Sequence, residues 1–540
     1  MKQGSVNHHS SAISFDHPIA FWSGTFAIVA GVCLHLPMFL HAASMGYRMA
    51  GMPMDIPMTL GMALIIFGTI VAAYGLVPRN IESPNTKNRA KQADVHNLRV
   101  RTMDDVRLSP AHFKMLAVLG LALIIDVMKP ATLGFVMPGM TEEYGITKST
   151  VAILPLVALT GTVTGSIMWG FLGDIIGRRG SILLASLMFI GTAICGAMPS
   201  FAWNVFMCFI MGLSAGGLLP IVFTLLAETI PARHRSWLLV LIAGIGTVGG
   251  YLVAAGFAAL LEPHFGWRIL WFLGLPTGAL LILLNRYIPE SPRFLMLQGK
   301  SDEALHVMAG FGAEICYDKP ADDAAATDRS AHRNKLTLFK GPHLPLTLTL
   351  NFYGLAWGLV NFGFLLWLPM NLRNLGLTVG FSDAILANSA IISFIGVPLA
   401  AWLHHKWSTK RSMILFTMMM VTSLLGFVIL GENIVAHPTV LTFLIVTLLI
   451  SVNSSISMLL PYSAEVYPNH VRATGVGMVA GSTKMGGVLG LGAAIVALVP
   501  GLAPAALFVA VPALLSAILL SKSGVETRGL RLEEIYAREV

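Results

Sequence analysis

The sequence predicts an all-α polytopic membrane protein, on three observations. Only 11% of the 540 residues are charged and 55% are hydrophobic. Apolar stretches recur along the chain and reach the roughly 20 residues a helix needs to cross a bilayer. Basic residues collect in alternate loops between those stretches, the asymmetry that sets membrane topology. A chain of this length ordinarily suggests several soluble domains; composition overrides that. The net charge of +8 does not point to nucleic acid, because the basic residues cluster in loops on one side. Cys33, Cys195, Cys208 and Cys316 form no C-x-x-C pair, and three of them lie in apolar segments. They read as small core residues rather than disulfides or a metal site. No cofactor and no catalytic set is expected.

Taken in order, residues 1–17 are polar, and no small-residue cleavage site follows the first apolar run, which reads as a retained helix. That run, about Pro18–Ser44, and a second, about Ile56–Val77, form a helical hairpin joined by Gly46–Asp55. Pro78–Pro110 carries seven Lys/Arg against four acids and should stay cytoplasmic. Twelve further segments follow, near 112–138, 149–172, 180–198, 203–226, 237–261, 267–288, 342–371, 381–404, 412–431, 437–459, 471–498 and 502–521. The expected organisation is a hairpin (1–78), a basic linker (79–110), a six-helix bundle (111–288), a central loop (289–341), a second six-helix bundle (342–521) and a tail (522–540): fourteen helices. Loops after even-numbered segments of the twelve hold Arg178, Arg179, Arg233, Arg235, Lys406, Lys410, Arg411 and Arg472; the opposite loops hold only Lys148, Arg268 and Arg373. Both termini and the central loop are therefore expected in the cytoplasm.

One turn is dense in chemistry: Gly170-Phe171-Leu172-Gly173-Asp174-Ile175-Ile176-Gly177-Arg178-Arg179. Its glycines allow a sharp reversal and close helix approach. Its acid and bases stay hydrated at a membrane surface. The chain also repeats itself. Glu228, Pro231 and Arg235 recur as Glu465, Pro468 and Arg472, 237 residues on. The Gly170–Arg179 turn recurs in worn form at Ala401–Lys410, offset by 231, and Glu290 of Pro289-Glu290-Ser291-Pro292-Arg293 recurs as Glu526, offset by 236. Near-equal offsets mean two parallel halves.

These motifs resemble the major facilitator superfamily, in the branch of sugar porters, organic-ion transporters, SV2-like proteins and bacterial metabolite:proton symporters. The resemblance covers about Met115–Glu534. It implies two six-helix bundles and cytoplasmic charge networks that break and reform during alternating access, formed by Asp174, Arg178, Arg179, Glu228, Arg235, Glu290, Arg293, Glu465 and Arg472. The sequence departs from the pattern at Cys208, where an arginine is expected, and at His405 and Ser408, which stand for Asp and Gly of the turn. Members of the aromatic-acid and SV2-like groups often carry acids at both charged positions of the first segment; here the second is Lys129.

Within the twelve segments, Asp126, Lys129 and Lys484 stand out, because a charge at mid-membrane needs a cavity or a partner. Asp126 and Lys129 are i,i+3 neighbours and are expected to pair on one helix face, either as a neutralised pair or as part of a substrate site. Lys484 has no acid nearby in sequence and calls for an anion in the cavity or for Asp126 across it. Asn351, Tyr353, Trp357 and Asn361 would orient a substrate, satisfy one another or sit in the aromatic belt. No GxxxxGK[ST] is present, so ATP drive is not expected. The hairpin is rich in Met and His, and His35, Met38, His41, Met45 and Met49 suit Cu(I) as well as ordinary packing.

The reading that results is an inner-membrane secondary transporter of a small organic anion. It is coupled to protons, works by alternating access, and has the substrate, the proton and the bilayer as partners. A copper or metal-chelate transporter is the alternative, and a non-transporting receptor or scaffold a third reading.

Overall fold

The computed structural model describes residues 17–77, 101–313, 338–339, 341, 343–365, 368, 371–372, 375, 389, 392–495, 501–532 and 534–535, and every element among them is helical. Eleven described helices are long and apolar enough to cross a membrane.

The N-terminal hairpin forms as expected. Helix α1 (Pro18–Cys33) continues through Leu36–His41 and a tight turn at Ala42–Met45, and α2 (Ile56–Leu76) returns. The Asp55 side chain caps α2 by accepting from the Met58 amide at 2.8 Å. Glycines seven residues apart bring the two backbones into contact. A Cβ on Gly24 would stand 2.6 Å from the Gly68 carbonyl, and one on Gly31 2.6 Å from that of Gly61. A seven-residue period keeps such positions on one helix face. The short helix α3 (Arg101–Asp105) follows; residues 78–100 of the expected linker lie outside the described residues.

The first half comprises α4 (Pro110–Tyr144), α5 (Ile153–Ile175), α6 (Arg178–Gly191, extended by Thr192–Ala197), α7 (Phe201–Thr229), α8 (Ala232–Phe265) and α9 (Gly274–Leu283, between Ile269–Phe272 and Leu284–Tyr287). Helix α4 starts at a capping box made by Ser109 and His112 and runs six residues past its expected end, closing at Gly145 with φ 62°. Two short helices, α10 (Pro292–Leu297) and α11 (Ser301–Gly310), occupy the start of the central loop; residues 314–337, with Cys316, lie outside the described residues.

The second half contains α12 (His343–Gly358), which passes into a π-helical turn at Leu359–Phe364, then α13 (Gly396–Lys406), α14 (Thr409–Leu430), α15 (Pro438–Val466), α16 (Arg472–Ile495) and α17 (Leu502–Ser523). Much of the segment expected near 381–404, and Arg373 before it, falls outside the described residues.

The halves meet along α5 against α16 and along α8 against α13 and α15. They approach closely at the end carrying the basic loops, here called the basic end. There a Cβ on Gly170 would lie 3.1 Å from the Gly477 Cα. The hairpin packs on the first half instead, against α6. At the opposite end Glu143 fastens its loop, accepting from the amides of Met49 (2.6 Å) and Ala50 (3.0 Å) while held by Arg268 (2.7 Å) and the Trp267 indole (2.8 Å).

Candidate functional site

At the basic end the turn residues, expected to stay hydrated, instead assemble one buried charge network, because Asp174 and Arg178 find opposite charges inside the protein. Gly177, with φ 95°, is the N-cap of α6. Glu290 sits over it, accepting from the amides of Arg178 (2.9 Å) and Arg179 (3.2 Å). A side chain at Gly177 would meet that carboxylate. The Arg178 guanidinium holds Glu228 in a fork, Nε at 3.1 Å and Nη2 at 3.0 Å, and lies 3.4 Å from Asp174. Glu228 also accepts from Arg472 of the second half at 2.7 Å. Asp174 crosses the seam the other way, accepting from the Thr474 amide (2.9 Å), its hydroxyl (2.7 Å) and the Ala473 amide (3.3 Å) at the start of α16. The carboxylate thus meets the positive end of a helix. Arg179 turns aside to the Asn285 side chain at 2.9 Å.

Arg235 and Arg293 share a partner that sequence reasoning did not single out. Asp104 of α3, 4% exposed, binds Arg235 through Oδ1 and Arg293 through Oδ2 at 2.7 Å. Burial works against the Asp104 carboxylate, but the two guanidinium groups outweigh it and hold its pKa below the ordinary 3.8. Its neighbour Asp105 reaches Arg531 of the tail at 2.6 Å.

The second half repeats the capping and loses the ion pair. Glu526 caps α14 as Glu290 caps α6, accepting from the Thr409 amide at 2.9 Å and from the Ser408 and Thr409 hydroxyls. Those hydrogen bonds outweigh burial and lower the Glu526 pKa. Thr409 stands where Arg178 stands in the first half, so Glu465 has no fork, and its Oε2 is without a hydrogen-bond partner.

Midway along α4 the expected Asp126–Lys129 pair does not form. Lys129 instead donates to the Phe189 carbonyl (3.0 Å) and the Thr192 hydroxyl (2.7 Å) inside the first half. Gly274 leaves the room: a Cβ there would lie 2.5 Å from the ammonium. Asp126 is 2% exposed, with Oδ1 unpartnered. The charge facing it is Lys484 on α16, across the seam, and the two interact electrostatically without direct contact. The Lys484 ammonium lies 5.4 Å from the Phe362 ring in the π-helical turn, a distortion frequent at functional sites. Asn351 accepts from Ser482 at 2.6 Å, and half-buried Asn361 lies in the π turn. Tyr353 and Trp357 are bonded within the second half, to Thr417 (2.6 Å) and the Val452 carbonyl (2.8 Å). Phe362 and Ser482 were missed: the approach of Phe362 to Lys484, and the bond of Ser482 to Asn351, depend on packing between helices far apart in sequence.

The hairpin's Met/His run is divided. His35, Met38 and Met49 are buried in packing, with His35 2.8 Å from the Gly31 carbonyl, whereas His41 and Met45 are exposed. Among the described residues no group of three or more His, Cys, Asp or Glu is placed to hold a metal.

The chain resembles the niacin transporter NiaP of Acinetobacter baylyi, 26% identical over 72% of this chain and 88% of that one. It also resembles the 4-hydroxybenzoate transporter PcaK of the same species, 27% identical over 72% and 85%. Among solved structures, the proton:xylose symporter XylE bound to 6-bromo-6-deoxy-D-glucose shares the fold, with a TM-score of 0.65 at 18% identity, over 79% of this chain and 99% of that one. The family model of the Major Facilitator Superfamily matches residues 119–491, leaving the hairpin and α3 outside. With most of both bundles and the Asp174–Arg178–Glu228–Arg472 network inside that match, the chain belongs to the Major Facilitator Superfamily and is a secondary transporter.

Proposed function

We propose that the protein moves a small organic carboxylate together with a proton, through a site between the halves at Asp126 and Lys484. The observation that carries this is the buried carboxylate with an open oxygen, facing an ammonium on the opposite half. Lys484 offers a charge-assisted contact to a substrate carboxylate. Once Lys484 is so engaged, Asp126 loses its counter-charge in a dry site, and a proton restores neutrality. Proton and anion therefore enter together, and linkage makes the coupling reciprocal. Phe362 supplies a ring face beside the ammonium, and Asn361 an amide in the same π-helical turn. Relatives named for niacin and 4-hydroxybenzoate favour an aromatic acid as the substrate. The basic end faces the cytoplasm in this reading, by the distribution of Lys and Arg, and the chain lies in the cell's inner membrane. This reading keeps the division into a hairpin (1–78), a basic linker (79–110), two six-helix bundles (111–288 and 342–521) about a central loop (289–341), and a tail (522–540).

Uptake of nicotinate and 4-hydroxybenzoate into proteoliposomes, with and without a pH gradient, tests the proposal. Asp126→Asn is expected to keep counterflow and lose accumulation; Lys484→Ala is expected to weaken binding by about 1.5–3 kcal/mol. Accumulation by Asp126→Asn under a pH gradient would overturn the proton assignment. Unchanged binding by Lys484→Ala would move the anion site elsewhere.

A further inference from the structure

A cavity of about 790 Å³ lies at the basic end, away from the seam. Its walls come from the end of α2, the starts of α4 and α6, the end of α9 and the short helices α10 and α11. No residue of the second half lines it, so the pocket is separate from the proposed transport site. It sits at the termini of membrane-spanning helices, one span ending at Tyr287 and another starting at Arg178. That is the depth of lipid headgroups.

The lining carries Lys114, Arg179, Arg286 and Lys300 against Glu290, Asp302 and Glu303. Two of the acids are already engaged. Glu290 accepts the backbone amides that open α6, and Glu303 lies 3.9 Å from Lys300. Lys114 and Arg286 are exposed and have no acidic partner among the described residues; Arg286 lies 4.7 Å from the Tyr287 ring. Four basic side chains against three acids leave net positive charge where six elements converge. Exposed apolar residues lie close in sequence to the lining. Tyr74, Phe113 and Leu283, each within three residues of a lining position, are 59%, 57% and 73% exposed. A free phosphate ester would use the charge and leave those apolar side chains uncovered. A phospholipid uses both.

We propose that this cavity holds the phosphate headgroup of an anionic phospholipid, gripped by Lys114 and Arg286 with its acyl chains along the Tyr74–Phe113–Leu283 side. Basic pockets between helix ends on this face are suited to such headgroups. The lipid would then wedge the hairpin, α4 and the α10–α11 pair together.

The test is native mass spectrometry of the purified full chain, with phosphatidylglycerol or phosphatidylcholine added, backed by thermal unfolding in each lipid. The wild type is expected to retain phosphatidylglycerol preferentially. Lys114→Gln with Arg286→Gln is expected to bind it about tenfold or more weakly, while unfolding unchanged in phosphatidylcholine. Glycerol 3-phosphate at millimolar concentration is expected to give no stabilisation. Equal retention of both lipids by the wild type would overturn the proposal, a result independent of whether the double variant folds. So would undiminished retention by the variant. Stabilisation by glycerol 3-phosphate equal to that by the lipid would reassign the cavity to a soluble phosphate ester and overturn the lipid as occupant.

Discussion

A carboxylate shared by two guanidinium groups in a dry site is costly to disturb from either side. Removing one partner of a buried ion pair leaves charge uncompensated and costs about 3–5 kcal/mol. Asp104→Asn is therefore expected to destabilise the protein by that order, read as a lowered unfolding temperature, because Arg235 and Arg293 are both buried. The pH dependence has a definite sign. The folded pKa of Asp104 lies below its ordinary 3.8, so its contribution is complete at neutral pH. It starts to fade near pH 4 and vanishes as the pH falls through the folded value. The mutant should lack that acid-side loss. Nothing in the sequence marked Asp104: it is one of four acids among seven bases in a linker, and only the fold returns it to the bundle. Lys129 teaches the converse. Its i,i+3 spacing from Asp126 was legible and suggested a pair, but the missing side chain at Gly274 offered a better-satisfied place on another helix.

Among the described residues, helices legible as apolar runs came out as helices, with ends such as those of α4 displaced by capping. Ser109 starts α4 and Gly145 stops it, beyond the apolar stretch itself. The hairpin's glycines were equally present in the sequence, but their meaning depends on which faces touch. Gly68→Leu is expected to force α1 and α2 apart, since a Cβ at Gly68 already lies 2.7 Å from the Gly24 carbonyl. An overpacking cost of about 1–3 kcal/mol should fall on the hairpin alone. Hydrogen exchange would show faster amides over α1 and α2 with α7 and α15 unchanged; equal acceleration throughout would mean that the hairpin is integral to the core. Anchoring at Glu143 does not contradict this, because that carboxylate keeps Arg268 and Trp267 whatever the hairpin does.

Across the whole molecule, offsets of 231, 236 and 237 residues in the sequence already announced two related halves, and the Glu290 and Glu526 caps realise that relation in three dimensions. The seam was not legible, because contacts such as Asp174 with Thr474 join residues 300 apart. Asp174→Asn weakens the link at the start of α16 and should favour opening of the basic end. Spin labels on the tips of α5 and α16 would report longer distances, with turnover falling more than substrate affinity. Unchanged distances with lost binding would contradict a conformational role. Among the described residues the hairpin packs chiefly on the first half, and this has a mechanical consequence. Two rigid bodies that rock against each other in a viscous sheet share the motion inversely to their drag. The half bearing two additional membrane-crossing helices turns less, and serves as the stator against which the lighter half swings.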